Sequence, residues 1–525
     1  MDKSTYHSLP KRRKGNKSRI LVLAFFMLIQ VIFLLYIFYT LNMFALTTYL
    51  FTYFITAFIA LNIALDRRKA SYKIAWITVL FIIPIFGLFC YLMWGYPHHP
   101  AKLKKRIPII SDITIPLFRW NPQVRNELEE KHPDMLRCMT HLNNAGFPVY
   151  SNTEVKYFSL GDDLFPALFA DIKKAQKNIF IEYFIISEGH LLDETLSILE
   201  EKAKEGVEIK ILYDDFGSIS TLSRKTISKI KKLNIEIAPF NKVVPVINNF
   251  YLNYRNHQKI CIIDGNIAYT GGINLADEYA NLVDAYGHWK DSGIRLEGDA
   301  VWSMTIMFLQ MWQYASGKQD MLHYKNNLFD YAPAFTPSDK ASGFVQPFCS
   351  GPCNDTAINT AENIYISLIN SAKKYVYITT PYLVLDSELQ SALIIASQSG
   401  VDVRIITPGI PDKKNVYDVT NSHYGVLLEA GVRIYEYSPG FIHSKNLVCD
   451  GLYAAVGTIN MDFRSFFLHF ENAVWLLDTK CIADIEKDFI DTLDLCREIQ
   501  LDDWNNRPLT QKIKQYFLKF FSPLL

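Results

Sequence analysis

The chain reads as an α/β protein: two duplicated α/β domains that share one active site, preceded by N-terminal transmembrane helices. Three observations carry that expectation. One block of sequence occurs twice, strands alternate with helices in the same order in both halves, and the longest uncharged runs crowd the N-terminal region.

The repeated block is NHQKICIIDGNIAYTGGIN at 256–274 and IHSKNLVCDGLYAAVGTIN at 442–460. Both fit H-x-K-x4-D-x6-G-[GT]-x-N, filled by His257, Lys259, Asp264, Gly271, Gly272 and Asn274, then by His443, Lys445, Asp450, Gly457, Thr458 and Asn460. His-x-Lys leads into apolar residues, so the ring and the ammonium of each copy are expected on one side of a strand, since side chains two apart share a face. The Gly pair permits a tight turn, and the following Asn places an amide donor near it. Asp264 and Asp450 precede glycine and are expected to hold the turn and the neighbouring backbone. Packing does not require paired His and Lys at this spacing, so the duplication points to chemistry.

At 525 residues the chain exceeds one ordinary domain and is long enough to bury a large core. A net charge of +1 argues against a nucleic-acid binder working through a broad basic surface, so no nucleic-acid partner is expected. The eight cysteines are scattered apart from Cys349 and Cys353, and form neither a disulfide framework nor spaced zinc pairs. Cys261 and Cys449 read as buried thiols within apolar strands.

In chain order, residues 1–19 form a basic tail, and Ile20–Leu65 contains no charge, about twice what one membrane-crossing helix needs. Two spans turning near Asn42 are expected. A basic loop at 66–73 precedes a third uncharged run, 74–94, holding Pro84 and Gly87, which reads as a third span or as a re-entrant hairpin. With a cytoplasmic tail and 66–73 loop, a full third span places the remainder on the extracytoplasmic face of the cell membrane as a multi-pass protein; the KLKKR cluster at 102–106 argues the other way. Residues 20–96 are thus the transmembrane region and 97–145 a juxtamembrane connector.

The halves then run in parallel. DIKKAQKNIFIEYFIIS (171–187) matches LINSAKKYVYITTPYLV (368–384), KAKEGVEIKILYDD (202–215) matches ASQSGVDVRIITPG (396–409), and KKLNIEIAPFN (231–241) matches LEAGVRIYEYS (428–438). Each begins near a helix end, turns and enters a strand, which predicts a mixed, largely parallel sheet in each of two domains, 146–335 and 340–500. The segment 501–525 reads as amphipathic, with Ile513, Tyr516, Phe517 and Phe520 near one helical face and Lys512, Lys514 and Lys519 available for anionic head groups.

Two imidazoles, two ammoniums and two amides around one pocket suit an anion with tetrahedral oxygens, and a phosphodiester fits. One ring attacks phosphorus, the other protonates the departing alcohol, and Lys and Asn donors neutralise the non-bridging oxygens. No carboxylate cluster suggests magnesium and His-x-Lys is not a metal-ligand spacing, so no cofactor or metal is expected. A nucleophilic ring needs a carboxylate on its other nitrogen. Asp291 in HWKDSGIRLEG and Glu471 in HFENAVWLL begin equivalent strands, Asp291 being expected to orient His257 and Glu471 to orient His443.

The motif pair resembles the phospholipase D superfamily. DRRKASYKIAWI, EYFII (182–186), NYRNHQK (253–259), NMDFRSFFLHFE (460–471) and a terminal SPLL further resemble bacterial cardiolipin synthases. That resemblance implies phosphatidyl transfer between two phosphatidylglycerol molecules through a phosphohistidine, releasing glycerol, with phosphatidylglycerol as donor and acceptor and the bilayer as partner. By the same resemblance His257 is the nucleophile and His443 the acid. The alternatives are a hydrolase releasing phosphatidic acid, a nucleic-acid phosphodiesterase, and a non-catalytic anionic-lipid binder. The second motif departs in carrying Gly457-Thr458 where the first has two glycines.

Overall fold

A computed structural model describes residues 17–39, 43–66, 68–95, 101–243, 253–317, 331–332, 339–352 and 359–522. Most of the basic tail, the turn near Asn42, Cys353 and the end of the terminal SPLL lie outside the described residues. The chain divides into two compact units, one drawn mainly from residues before His99 and the other mainly from residues after it.

In the N-terminal unit, α1 (Lys17–Tyr39) and α2 (Met43–Leu65) are long helices. Leu46–Leu65, within α2, is the one stretch among the described residues that is long and apolar enough to cross a membrane, reaching about 30 Å. Leu50, Phe51, Phe54 and Phe58 on α2 are exposed, an apolar surface that suits lipid better than water.

The third uncharged run is not a single rod. The helix α3 (Ala70–Ile82) stops where Ile83 leaves helical geometry at φ −134° and ψ 73°, and α4 (Pro84–Cys90) restarts at the proline. Proline disfavours the helical region for the residue before it, which accounts for the break. The ends of the run then meet: Arg68 Nη1 donates to the Gly95 carbonyl at 2.6 Å and the Tyr72 hydroxyl to the same oxygen at 3.0 Å. The 13 residues of α3 reach only about 20 Å, and the run folds as a hairpin whose two ends meet.

The larger unit carries the duplication. Its first sheet is built from β1 (Thr153–Phe158), β2 (Asn178–Tyr183), β3 (Glu208–Asp214), β4 (Glu236–Phe240), β6 (Ile260–Ile263), β7 (Ile267–Gly271) and β9 (Gly293–Gly298), in the order β1-β9-β7-β6-β2-β3-β4. The short strands β5 (Arg255–Asn256) and β8 (His288–Lys290) lie outside it. The second half provides β10 (Phe344–Ser350), β11 (Tyr375–Thr379), β12 (Asp402–Pro408), β13 (Arg433–Tyr437), β14 (Gly440–Ile442), β15 (Asn446–Cys449), β16 (Tyr453–Gly457), β17 (His469–Leu477) and β18 (Cys496–Glu498). Its order, β10-β17-β16-β15-β11-β12-β13, repeats the first strand for strand before β18 extends it.

Along these two strand orders β2-β3-β4 and β11-β12-β13 run parallel, and the other neighbours are antiparallel. The largely parallel sheet expected from the sequence is therefore corrected to a mixed sheet with an antiparallel majority. Each repeated block folds as a tight hairpin, β6 to β7 and β15 to β16, and a short connection can only join antiparallel strands. The Val301–Ser316 helix is buried along almost its whole length and belongs to the core shared by strands of both halves.

The hairpin turns explain the Asp of each motif. Asp264 (φ 53°) and Asp450 (φ 58°) both take the left-handed conformation, which Asp tolerates better than most residues. The Asp264 carboxylate accepts the backbone N–H groups of Gln176, Lys177 and Asn178, the shortest contact at 2.7 Å, and Asp450 accepts those of Lys373, Lys374 and Tyr375 at 2.7–2.9 Å. Each Asp ties its turn to the start of β2 or β11. Asp264→Ala and Asp450→Ala should each lower unfolding free energy by about 2 kcal/mol, with Asn costing less because it keeps the backbone preference and one acceptor. A denaturation midpoint unchanged in both Ala variants would remove this role.

Candidate active site

His257 and Lys259 sit in the short extended link between β5 and β6, and His443 and Lys445 in the equivalent link between β14 and β15. They thus stand just before the strands on which the sequence placed them. The reason is that β5 and β14 each leave their own half. β5 pairs in parallel with the start of β17, and β14 pairs in parallel with β8. The His257 N–H donates to the Phe470 carbonyl at 2.8 Å and the His443 N–H to the Lys290 carbonyl at 2.7 Å. Inside the first half, buried Asp214 receives the Asn256 N–H at 2.9 Å and faces the Arg255 guanidinium at 3.2 Å, which anchors β5.

This exchange of strands crosses the carboxylates. His257 Nδ1 lies 2.9 Å from Glu471 Oε2, and His443 Nδ1 lies 2.6 Å from Asp291 Oδ2. The pairing read from the sequence, Asp291 with His257 and Glu471 with His443, is therefore corrected: each ring is oriented by the carboxylate of the other half. Both carboxylates are fully buried and both rings nearly so. Further contacts stitch the halves together here, with Asn472 Nδ2 donating to Thr270 Oγ1 at 2.8 Å and Asn446 Nδ2 to Ser292 Oγ at 2.9 Å.

Lys259 Nζ donates to the His257 carbonyl at 2.8 Å, and Lys445 Nζ to the His443 carbonyl. Both ammoniums are buried, which lowers Lys259 to about 7 and Lys445 to about 8; Glu471 and Asp291 oppose the shift in both. Each lysine thus feels both carboxylates. Asn274 is committed to scaffolding: its Oδ1 accepts the Ile185 N–H at 3.0 Å and its Nδ2 donates to the Tyr279 hydroxyl at 2.7 Å. That sets Tyr279 edge-on to the His443 ring at 5.4 Å. Asn460 is buried, and its Oδ1 has no hydrogen-bond partner among the described residues.

Burial also governs the rings. It lowers His257 to about 3, aided by the Lys259 charge and opposed by Glu471, and it holds His443 well below the ordinary histidine value, aided by Lys445 and Lys259. Both rings rest neutral. Their carboxylates differ. Burial lifts Asp291 to about 7 against the pull of Lys445, whereas Glu471, equally buried, is held below the ordinary carboxylate range by its close pairing with the His257 ring.

The Gly-Thr departure in the second motif gives the two carboxylates different neighbours. A Cβ at Gly272 would stand 2.1 Å from Asp291 Oδ1, so glycine makes room for that carboxylate without giving it a donor. At the equivalent position the Thr458 hydroxyl donates to Glu471 Oε2, which favours the ionised form.

The sequence reading missed Thr458 as a donor, along with Tyr279 and Trp289 against His443 and Phe184 and His469 against His257. The signal for Trp289 and His469 was present, since each stands two residues before its carboxylate. Among the described residues, two groups bring three potential metal ligands together, His257–His469–Glu471 and Glu362–Asp386–Glu388. The first lies inside the site.

A family model described as cardiolipin synthase, PLD-like domain, matches residues 168–285 and 365–493, and one described as phospholipase D-nuclease N-terminal matches 53–95. An uncharacterized protein of Streptococcus mutans is 40% identical, covering 86% of this chain and 96% of its own. Cardiolipin synthase 2 of Bacillus anthracis is 35% identical, covering 88% of both chains. Among solved structures, phosphatidylserine synthase of Haemophilus influenzae superposes with a TM-score of 0.56 at 15% identity, covering 75% of this chain and 100% of that one, a likeness of fold.

The site predicts the direction of its pH response. Below about 7 the Asp291 carboxyl keeps its proton and Lys259 keeps its charge, and Lys445 stays charged to about 8. All three are lost as pH rises, so kcat/KM for phosphodiester turnover should fall through the interval from about 7 to 8. A profile flat to about pH 9 would contradict it.

Proposed function

Because the chain belongs to the cardiolipin synthase family of phospholipase D-like proteins, we propose that it transfers a phosphatidyl group from one phosphatidylglycerol to the terminal hydroxyl of another. The products are cardiolipin and glycerol. The phospholipase D-like domains are 146–335 and 340–500, with 97–145 as connector. The observation that supports this order of steps is the different setting of the two carboxylates, with the Thr458 hydroxyl on Glu471 and only glycine beside Asp291. Ionised Glu471 accepts the Nδ1 proton of His257 and leaves a lone pair on Nε2, which makes this ring the nucleophile. Protonated Asp291 donates to His443 Nδ1 and keeps that ring's own proton on Nε2, which makes it the acid.

In the first step His257 Nε2 bonds to phosphorus, the bond to the glycerol oxygen breaks, and His443 gives its Nε2 proton to that oxygen. The Asp291 proton moves to Nδ1 as this happens. In the second step the hydroxyl of another phosphatidylglycerol gives its proton back to His443 and attacks phosphorus, which frees His257. Lys259 and Lys445 balance charge on the non-bridging oxygens. One phosphodiester replaces another, so no nucleotide is required.

Purified protein given phosphatidylglycerol should release glycerol and form cardiolipin in equal amounts. His257→Ala should abolish a trapped phosphoenzyme. His443→Ala should slow turnover by about 10²–10⁴-fold while still forming phosphoenzyme from a donor whose leaving group needs no proton. Phosphatidic acid as the main product would mean hydrolysis instead, and a phosphoenzyme on His443 alone would reverse the roles.

The hairpin at 70–95 supports a topology different from the one preferred on sequence grounds. With α1 and α2 as two spans and the third run returning to its starting side, the tail, the 66–73 loop and everything after Gly95 share the cytoplasmic face, in keeping with their Lys and Arg. In the Leu509–Phe521 helix, exposed Leu509, Ile513, Tyr516, Phe517 and Phe520 form an apolar face suited to the head-group boundary. Protease added outside sealed right-side-out vesicles should leave the larger unit intact, and its digestion there would restore the three-span arrangement.

A further inference from the structure

The two half-sites differ chemically at the residue two before each carboxylate. In one this is Trp289, its ring centre 5.7 Å from that of His443, and in the other it is His469, 5.7 Å from His257. Indole offers no lone pair to a ligand, whereas imidazole does. On β17, His469 and Glu471 alternate and so face the same side. His469 Nδ1 is buried, has no hydrogen-bond partner among the described residues, and lies 3.8 Å from Glu471 Oε1, too far for a hydrogen bond. Glu471 Oε2 lies 2.9 Å from His257 Nδ1, and the ligand atoms of the three side chains all fall within 4.8 Å of one another.

We propose that His257, His469 and Glu471 form a binding site for zinc(II), or a transition metal of similar character, which reversibly switches the reaction off. Two imidazole nitrogens and one carboxylate oxygen are a common zinc donor set, with ligands at about 2.0–2.2 Å and water completing the tetrahedron. Tetrahedral ligands around such an ion stand about 3.4 Å apart, so closing the site needs only a small movement of the rings. Inhibition follows from the tautomer. The metal takes the lone pair of His257 Nδ1, and the proton that Nδ1 carried passes through solvent to Nε2. No proton is lost overall, yet Nε2 becomes an N–H with nothing to offer phosphorus. Only the inhibition rests on His257 being the nucleophile. The binding does not.

The test uses full-length wild type, His469→Asn and His469→Trp in detergent, stripped with EDTA and then dialysed against zinc. Wild type should retain one more zinc per chain than either variant. Zinc should inhibit phosphatidylglycerol turnover by wild type, EDTA should restore it, and both variants should shift the inhibition midpoint by more than about 100-fold, since even outer-shell partners of a metal are worth 10–100-fold. Equal zinc content in all three proteins, or an unchanged midpoint, overturns the proposal. The dialysis decides for any variant that does not turn over. Extra zinc in wild type together with no cardiolipin from any protein would sustain the site and defeat the functional reading alone.

Discussion

The structure depends on the exchange of carboxylates between its halves. Each imidazole is oriented by an acid that arrives on the other half's strand, at 2.9 Å for Glu471 on His257 and 2.6 Å for Asp291 on His443. A fully buried carboxylate is costly unless something compensates it, and here each acid draws its imidazole partner from the opposite half, beside a donor from its own, Thr458 for Glu471 and the Ser292 N–H for Asp291. The parallel pairings of β5 with β17 and of β14 with β8 are the backbone expression of the same dependence.

Much of this was legible in the residues. The repeated His-x-Lys block found both motifs because chemistry demanded identical side chains at identical spacing, and the glycine punctuation fixed the order of strands. What was not legible was long-range. Nothing local in HWKD or HFE says which ring each acid meets, since that is set by β5 and β14 leaving their own sheets. Asn274 illustrates a different blindness. Its amide suits an anion as well as a neighbouring hydroxyl, and only the fold shows that Tyr279 takes it. The direction of sheet neighbours was misjudged because the helix-strand alternation of β2 to β4 was extended to hairpins that cannot be parallel.

The N-terminal unit carries a similar lesson. An uncharged run is a statement about length, and the sequence alone left both a span and a hairpin open. Pro84 breaks the helix, and Arg68 and Tyr72 converge on the Gly95 carbonyl, so local backbone preference and one shared acceptor bring the two ends of the run together.

Gly272 and Thr458 hold a consequence for how a duplicated enzyme acquires an order of events. Two copies of one unit begin interchangeable, and nothing in twin imidazoles chooses which moves first. A bare backbone beside one acid and a hydroxyl beside the other give the two carboxylates different hydrogen-bonding surroundings. A difference of this kind needs no change to the imidazoles or the lysines; it resides in one hydroxyethyl side chain standing where the other copy has only hydrogen.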